Sequence, residues 1–200
     1  MRKPLVSNYS GVAYFYARAK PLFIITAGLV GTGKTTVAQA LAERLGFATI
    51  SSDVTRKRLA GIPPTEHRFE GFHSDIYSSD FSAKTYKKML DEASEFLSQG
   101  QSVILDASFG RKEDRLQALK LAEALGANFI VLECVLDEEN IKKRLEQRLA
   151  KETTSDGRWE IYEIQKQIFE SITELLPRQH FILDTSQPID KIVEIVWSKL

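Results

Sequence analysis

Eight consecutive residues constrain this chain more than any other stretch: Gly28-Leu29-Val30-Gly31-Thr32-Gly33-Lys34-Thr35. They follow directly on the apolar run Leu22–Ala27 and lead directly into Val37, Ala38, Leu41, Ala42 and Leu45, spaced as one buried face of a helix. A strand that turns through glycines into a helix aims its backbone N–H groups and the positive helix end at one point. Such a turn cradles phosphate. The spacing G-x-x-x-x-G-K-[ST] adds a lysine as a point charge for the β- and γ-phosphates and a threonine hydroxyl for Mg2+. We therefore expect Gly28, Gly31, Thr32, Gly33, Lys34, Thr35 and Thr36 to hold ATP, with Lys34 also catalytic and Thr35 on the metal. The alternative is a plain glycine turn between strand and helix. The correct flanks on both sides argue against it.

The rest of the chain repeats the same alternation. Residues 48–51, 103–105, 129–135 and 181–183 are short apolar runs rich in Ile, Val and Phe, as expected of strands buried on both faces. Between them, Tyr86, Met89, Leu90, Ala93, Phe96 and Leu97 follow helical spacing, as do Ile141, Leu145 and Leu149. A further helical pattern runs through Ile161, Ile164, Ile168, Ile172 and Leu175, and a last one closes on Ile192, Val196 and Leu200 behind Pro188. Strands and helices taking turns imply an α/β fold with a parallel sheet covered on both faces. At 200 residues the chain buries a core of its own, and a lone Cys134 permits no internal disulfide. Cys134 reads as an inert core residue.

Charge and hydropathy exclude other classes. With 27 Lys+Arg against 27 Asp+Glu the formal net charge is zero, which disfavours long-range attraction of nucleic acid or an anionic membrane. No apolar run approaches the roughly 20 residues of a membrane span. A faint signal-peptide pattern at Met1-Arg2-Lys3 runs into the nucleotide-site strand, so the expected location is the cytoplasm. Residues 1–20 carry Tyr9, Tyr14, Phe15 and Tyr16 and read as a docked helical linker before a domain of residues 21–200. Residues 61–80 hold Pro63, Pro64, His67 and His73 without a clear period, and long connections of this kind are often functional. His180 opens a strand and reads as structural.

Three further groups of residues carry chemistry. Ser51-Ser52-Asp53-Val54-Thr55-Arg56 falls where the second strand ends, and ligands of open parallel sheets bind at the carboxyl ends of strands. A carboxylate there orients an acceptor hydroxyl and takes its proton, while Arg56, one turn on, forks onto an anionic group. An Asp after a strand is also a common helix cap. Val103-Ile104-Leu105-Asp106 ends in a carboxylate suited to Mg2+, though many buried strands end in Asp. Arg115 opens the following helix within reach of the same crevice. Arg144 and Arg148 stand one helical turn apart, either on a solvated basic face or as cations that stabilise a transferring phosphoryl group. Residues 149–160 then read as a lid, with Trp159 capping it or packed beneath it.

Together Gly28 to Thr35, Asp53 with Arg56, Asp106 with Arg115, Arg144 with Arg148, and Ser155-Asp156-Gly157-Arg158-Trp159 resemble the bacterial P-loop kinases related to gluconate kinase, zeta toxin and the kinase half of polynucleotide kinase. The likeness is nearest to a kinase domain often joined behind an aminoglycoside-phosphotransferase-like domain, which implies such a partner on another chain. It implies a three-layer P-loop fold with a five-stranded parallel sheet in the order 2-3-1-4-5, a helical lid, and a substrate cap over about residues 61–88. It also implies ATP and Mg2+ as cosubstrates, Asp53 as general base, Arg56 and Arg115 on the acceptor, Asp106 on the metal, and Arg144 and Arg148 as lid arginines. The expected activity is transfer of the γ-phosphoryl group of ATP to a hydroxyl of a small polar acceptor. Polynucleotide 5′-hydroxyl kinase, a zeta-toxin-like nucleotide-sugar kinase and a non-catalytic ATP-binding module are the alternatives.

Overall fold

The computed structural model describes residues 20–63, 78–151 and 159–200. Residues 1–19 of the expected linker, residues 64–77 of the expected substrate cap with His67 and His73, and most of the expected lid lie outside them. Five parallel strands, β1 (Leu22–Ala27), β2 (Ala48–Ser51), β3 (Val103–Asp106), β4 (Asn128–Val135) and β5 (His180–Asp184), form one sheet in the order β2-β3-β1-β4-β5. Register is tight at the centre, with Phe23 opposite both Val103 and Phe129.

Alternate strand residues divide the core in two, as the two-residue period of a strand requires. Phe23, Ile25, Val103, Leu105, Phe129 and Val131 face one layer, built by α3 (Ser79–Ser98) and α4 (Lys112–Ala124). Ile24, Ile104, Ile130 and Leu132 face the other, built by α1 (Lys34–Leu45) and α7 (Ile189–Trp197). The remaining helices, α2 (Ser52–Leu59), α5 (Glu138–Lys151) and α6 (Trp159–Ile168), stand at the carboxyl end of the sheet. Tyr162 of α6 is buried with Ile141 and Leu145 of α5, and Trp159 packs on that cluster with its ring 4.7 Å from Tyr162. Cys134 is buried in β4, where loss of solvation pushes its thiol up to about 12. His180 pairs with Glu133 of the neighbouring strand at 2.7 Å.

One helical pattern is corrected. The apolar spacing from Ile161 to Leu175 predicts a single helix, yet α6 ends at Ile168. Beyond it the chain has stronger partners on α4. The Glu170 N–H donates to the Gly110 carbonyl at 2.8 Å, the Glu170 carboxylate accepts from the Lys112 N–H, and the Glu174 carboxylate lies 2.5 Å from Arg115 Nε. Ile172 and Leu175 still reach the core, from an irregular segment.

The last of these contacts also corrects the placement of Arg115 on the acceptor. Its side chain is 0% exposed against 4% for Glu174, and it donates as well to the carbonyls of Phe109 and Ser171. Arg115 is thus a core cation with every direction filled, turned away from the crevice. Burial pushes the Glu174 carboxyl up, but the hydrogen bonds from Arg115 and the Thr173 N–H hold it below the usual glutamate range. The stabilisation is therefore full above the ordinary glutamate pKa and fades as pH falls through the lowered one. Arg115→Met leaves Glu174 buried without its cation and should cost about 3–5 kcal/mol in urea unfolding, with much of that recovered when Glu174 is also made apolar. Unaltered stability together with lost substrate binding would restore Arg115 to the acceptor.

Candidate functional site

The loop between β1 and α1 is shaped by steric exclusion. Gly28 has φ 128, and a Cβ there would lie 2.4 Å from the Cys134 carbonyl oxygen. Gly33 has φ 85 and stands immediately before α1, so the helix starts with its N–H groups turned into the loop. Three other elements hold the loop in place. The Gly28 N–H donates to the Ser108 carbonyl at 3.0 Å, the Val30 N–H to Gln165 Oε1 at 2.7 Å, and Thr185 Oγ1 to the Thr32 carbonyl at 2.8 Å. Within the loop, Thr32 Oγ1 and Lys34 Nζ both donate to the Leu29 carbonyl, at 2.8 and 2.7 Å. This leaves a rigid ring of backbone with a lysine at its lip.

A crevice of about 390 Å³ opens from the loop across the ends of β1, β2 and β3. Lys34 and Thr35 line one end, together with Asp106, the last residue of β3. Asp106 is 7% exposed, and burial pushes its carboxyl up against the opposing pull of the Thr35 hydroxyl, the Lys34 ammonium and Thr26. Thr35 and Asp106 thus line the same crevice, close enough for the hydroxyl to favour the carboxylate. Register pairs Ser51 with Asp106, so the start of α2 faces the same opening and brings Asp53 and Arg56 to its wall. Ser51 occupies the helix-cap position, which removes the reading of Asp53 as a cap. The Asp53 carboxylate is instead 3.0 Å from Lys57 Nζ, a lysine whose side chain is 4% exposed. The crevice is also lined by Ser79, Ser82 and Tyr86 of α3, by Arg111 and Asp114, and by Ile168 and Phe169.

One of the two arginines expected at the phosphates stands elsewhere. Arg144 is absent from the crevice lining, and its guanidinium donates to the Thr185 carbonyl at 2.6 Å, behind the loop. A Cβ on Gly33 would come within 3.2 Å of its Nη1. Arg148 belongs to the last turn of α5, with its side chain outside the described residues. The site also contains groups that no motif signals, Gln165 and Thr185 on the loop and Tyr86, whose hydroxyl meets Ser108 and the Phe109 N–H. Phe109 has φ 37, and its neighbours on the turn line the crevice. The only sequence trace of this turn is Gly110, where a Cβ would lie 3.3 Å from the Phe169 ring.

A family model described as an AAA domain matches residues 23–172, which takes in the phosphate loop, Asp53, Asp106 and Gln165. The chain belongs to that family. The chain is 32% identical over 110 residues to an uncharacterized protein of Mycobacterium tuberculosis, a match covering 55% of this chain and 22% of the mycobacterial protein. It is 32% identical over 76 residues to the chloroplastic shikimate kinase 2 of Oryza sativa, covering 38% and 24%. The chain thus spans about a fifth to a quarter of the length of these relatives. The fold is that of a putative kinase from Chloroflexus aurantiacus, with a TM-score of 0.69, 22% identity, and coverage of 91% of this chain and 100% of that one. The family and its structural relatives place the AAA domain among P-loop nucleotide-binding folds, and among its described residues no helix is long and apolar enough to cross a membrane.

Proposed function

We propose that this chain is an ATP- and Mg2+-dependent kinase that transfers the γ-phosphoryl group to a hydroxyl of a small polar acceptor. The observation that carries this reading is that Asp53 and Arg56 of α2 line the same crevice as Lys34, Thr35 and Asp106. A bare nucleotide-binding module needs only the loop. A second carboxylate in that crevice serves the acceptor.

The residues fit both cosubstrates. The loop ring and Lys34 suit the β- and γ-phosphates, and Thr35 and Asp106 are the hydroxyl and carboxylate that would hold Mg2+. Mg2+ held there would neutralise charge on the phosphate oxygens. Lys34 aids the same end as charge shifts toward the β-phosphate. Asp53 aligns the acceptor hydroxyl and takes its proton while the acceptor oxygen bonds to the γ-phosphorus and the bridging bond to the β-phosphate breaks. ADP and a phosphate monoester are the products. The likeness to shikimate kinase 2 over 76 residues supports a small acceptor, as does the charge of the crevice lining, where Arg56 and Arg111 are balanced by Asp53 and Asp114. A polynucleotide would call instead for a run of cations and free aromatic faces, and the Tyr86 ring is buried edge-on against Phe109.

The test is incubation of the protein with γ-labelled ATP and two acceptor pools, small hydroxylated metabolites and 5′-hydroxyl oligonucleotides, with products identified by mass. Label should enter a small metabolite, at a rate that changes little with salt. Transfer to the oligonucleotides, falling steeply with salt, would replace this reading with the polynucleotide one.

A further inference from the structure

Gln165 lies on α6, outside every motif, and touches the phosphate loop directly. Its side-chain oxygen accepts the Val30 N–H at 2.7 Å. A backbone N–H can be met only by the oxygen of a carboxamide, so the NH2 points elsewhere. Among the described residues nothing accepts from that NH2, its nitrogen is not buried, and Gln165 lines the crevice. The group is held firmly. Three residues earlier on the same helix, Tyr162 is 4% exposed within the cluster of Ile141 and Leu145 and donates to Glu138 at 3.4 Å. The Leu29 carbonyl, at the opposite edge of the same peptide unit, accepts from Lys34 Nζ at 2.7 Å, so Gln165 and Lys34 bracket the Leu29–Val30 peptide of the loop.

We propose that Gln165 is a catalytic residue whose carboxamide holds the loop through Val30 and donates its NH2 to an oxygen of the γ-phosphoryl group. The inference rests on the phosphoryl-transfer reading above. A fixed donor at the transferring group gains strength as charge redistributes over its oxygens and needs no reorganisation to do so. ADP has no oxygen at that position, so the contact separates ATP from ADP.

The variant that isolates the donor is Gln165→Glu. It keeps an oxygen for Val30, preserving any structural role, and puts a carboxylate where the NH2 stood. Calorimetry with ADP and with a non-hydrolysable ATP analogue should show unchanged ADP affinity and about tenfold weaker binding of the analogue. Turnover should fall about 100-fold. Gln165→Ala should move the ratio of the two affinities the same way. An unchanged ratio in both variants, with both nucleotides bound as in the wild type or weakened equally, overturns the proposal alone. A wild-type protein that binds neither nucleotide overturns the phosphate-loop reading and this proposal with it.

Discussion

Lys34→Ala should weaken ATP binding about 100-fold by calorimetry, because the loss is that of a charge-assisted donor to a polyanion in a largely enclosed loop. In the resting loop Lys34 Nζ donates to the Leu29 carbonyl at 2.7 Å, so the lysine is held at the lip and needs only a short swing to reach phosphate. The three outside ties on the loop, from Ser108, Gln165 and Thr185, do not involve the lysine side chain. The variant should therefore unfold near the wild-type temperature. Wild-type affinity for ATP in a folded Lys34→Ala protein would remove the loop from the site.

Asp53→Asn should separate binding from chemistry. Asparagine is nearly the same shape and can still orient a hydroxyl, but it cannot take a proton, and general-base contributions are typically about 10²–10⁴-fold. Transfer should fall by that factor while ATP affinity stays within about twofold, because the loop ring and Asp106 are untouched. Lys57, 4% exposed and 3.0 Å from Asp53, loses the charge of that neighbour in the variant, so some loss of stability accompanies the loss of rate. Stability and activity are to be measured on the same preparation. Full transfer by Asp53→Asn would end the base assignment.

The sheet was legible because each strand announces itself locally. Leu22–Ala27, the run before Asp106 and the run around Cys134 are apolar on both faces, and turn or charged residues bound them. The phosphate loop was legible for the same reason, since its glycines, lysine and threonine are consecutive. Residues whose roles depend on partners far along the chain were not. Arg115 reads as a crevice cation until Glu174, 59 residues later, is seen to hold it in the core. Arg144 reads as a lid cation until Thr185, 41 residues on, is found beneath it. Gln165 sits 135 residues from Val30, and a single glutamine in a helix carries no local sign of that contact. The helical spacing through Leu175 failed through the same long-range effect, because Gly110 and Lys112 offered the chain better hydrogen bonds than a further turn of α6.

The central claim is that the label of ATP leaves this site on an acceptor hydroxyl. The direct measurement is a balance of products from γ-labelled ATP with the wild-type protein and the metabolite pool, quantifying ADP, labelled acceptor and labelled inorganic phosphate together. The account predicts ADP and labelled acceptor in equal amounts with little free phosphate. ADP matched by free phosphate alone, or ATP bound and left intact, would contradict it.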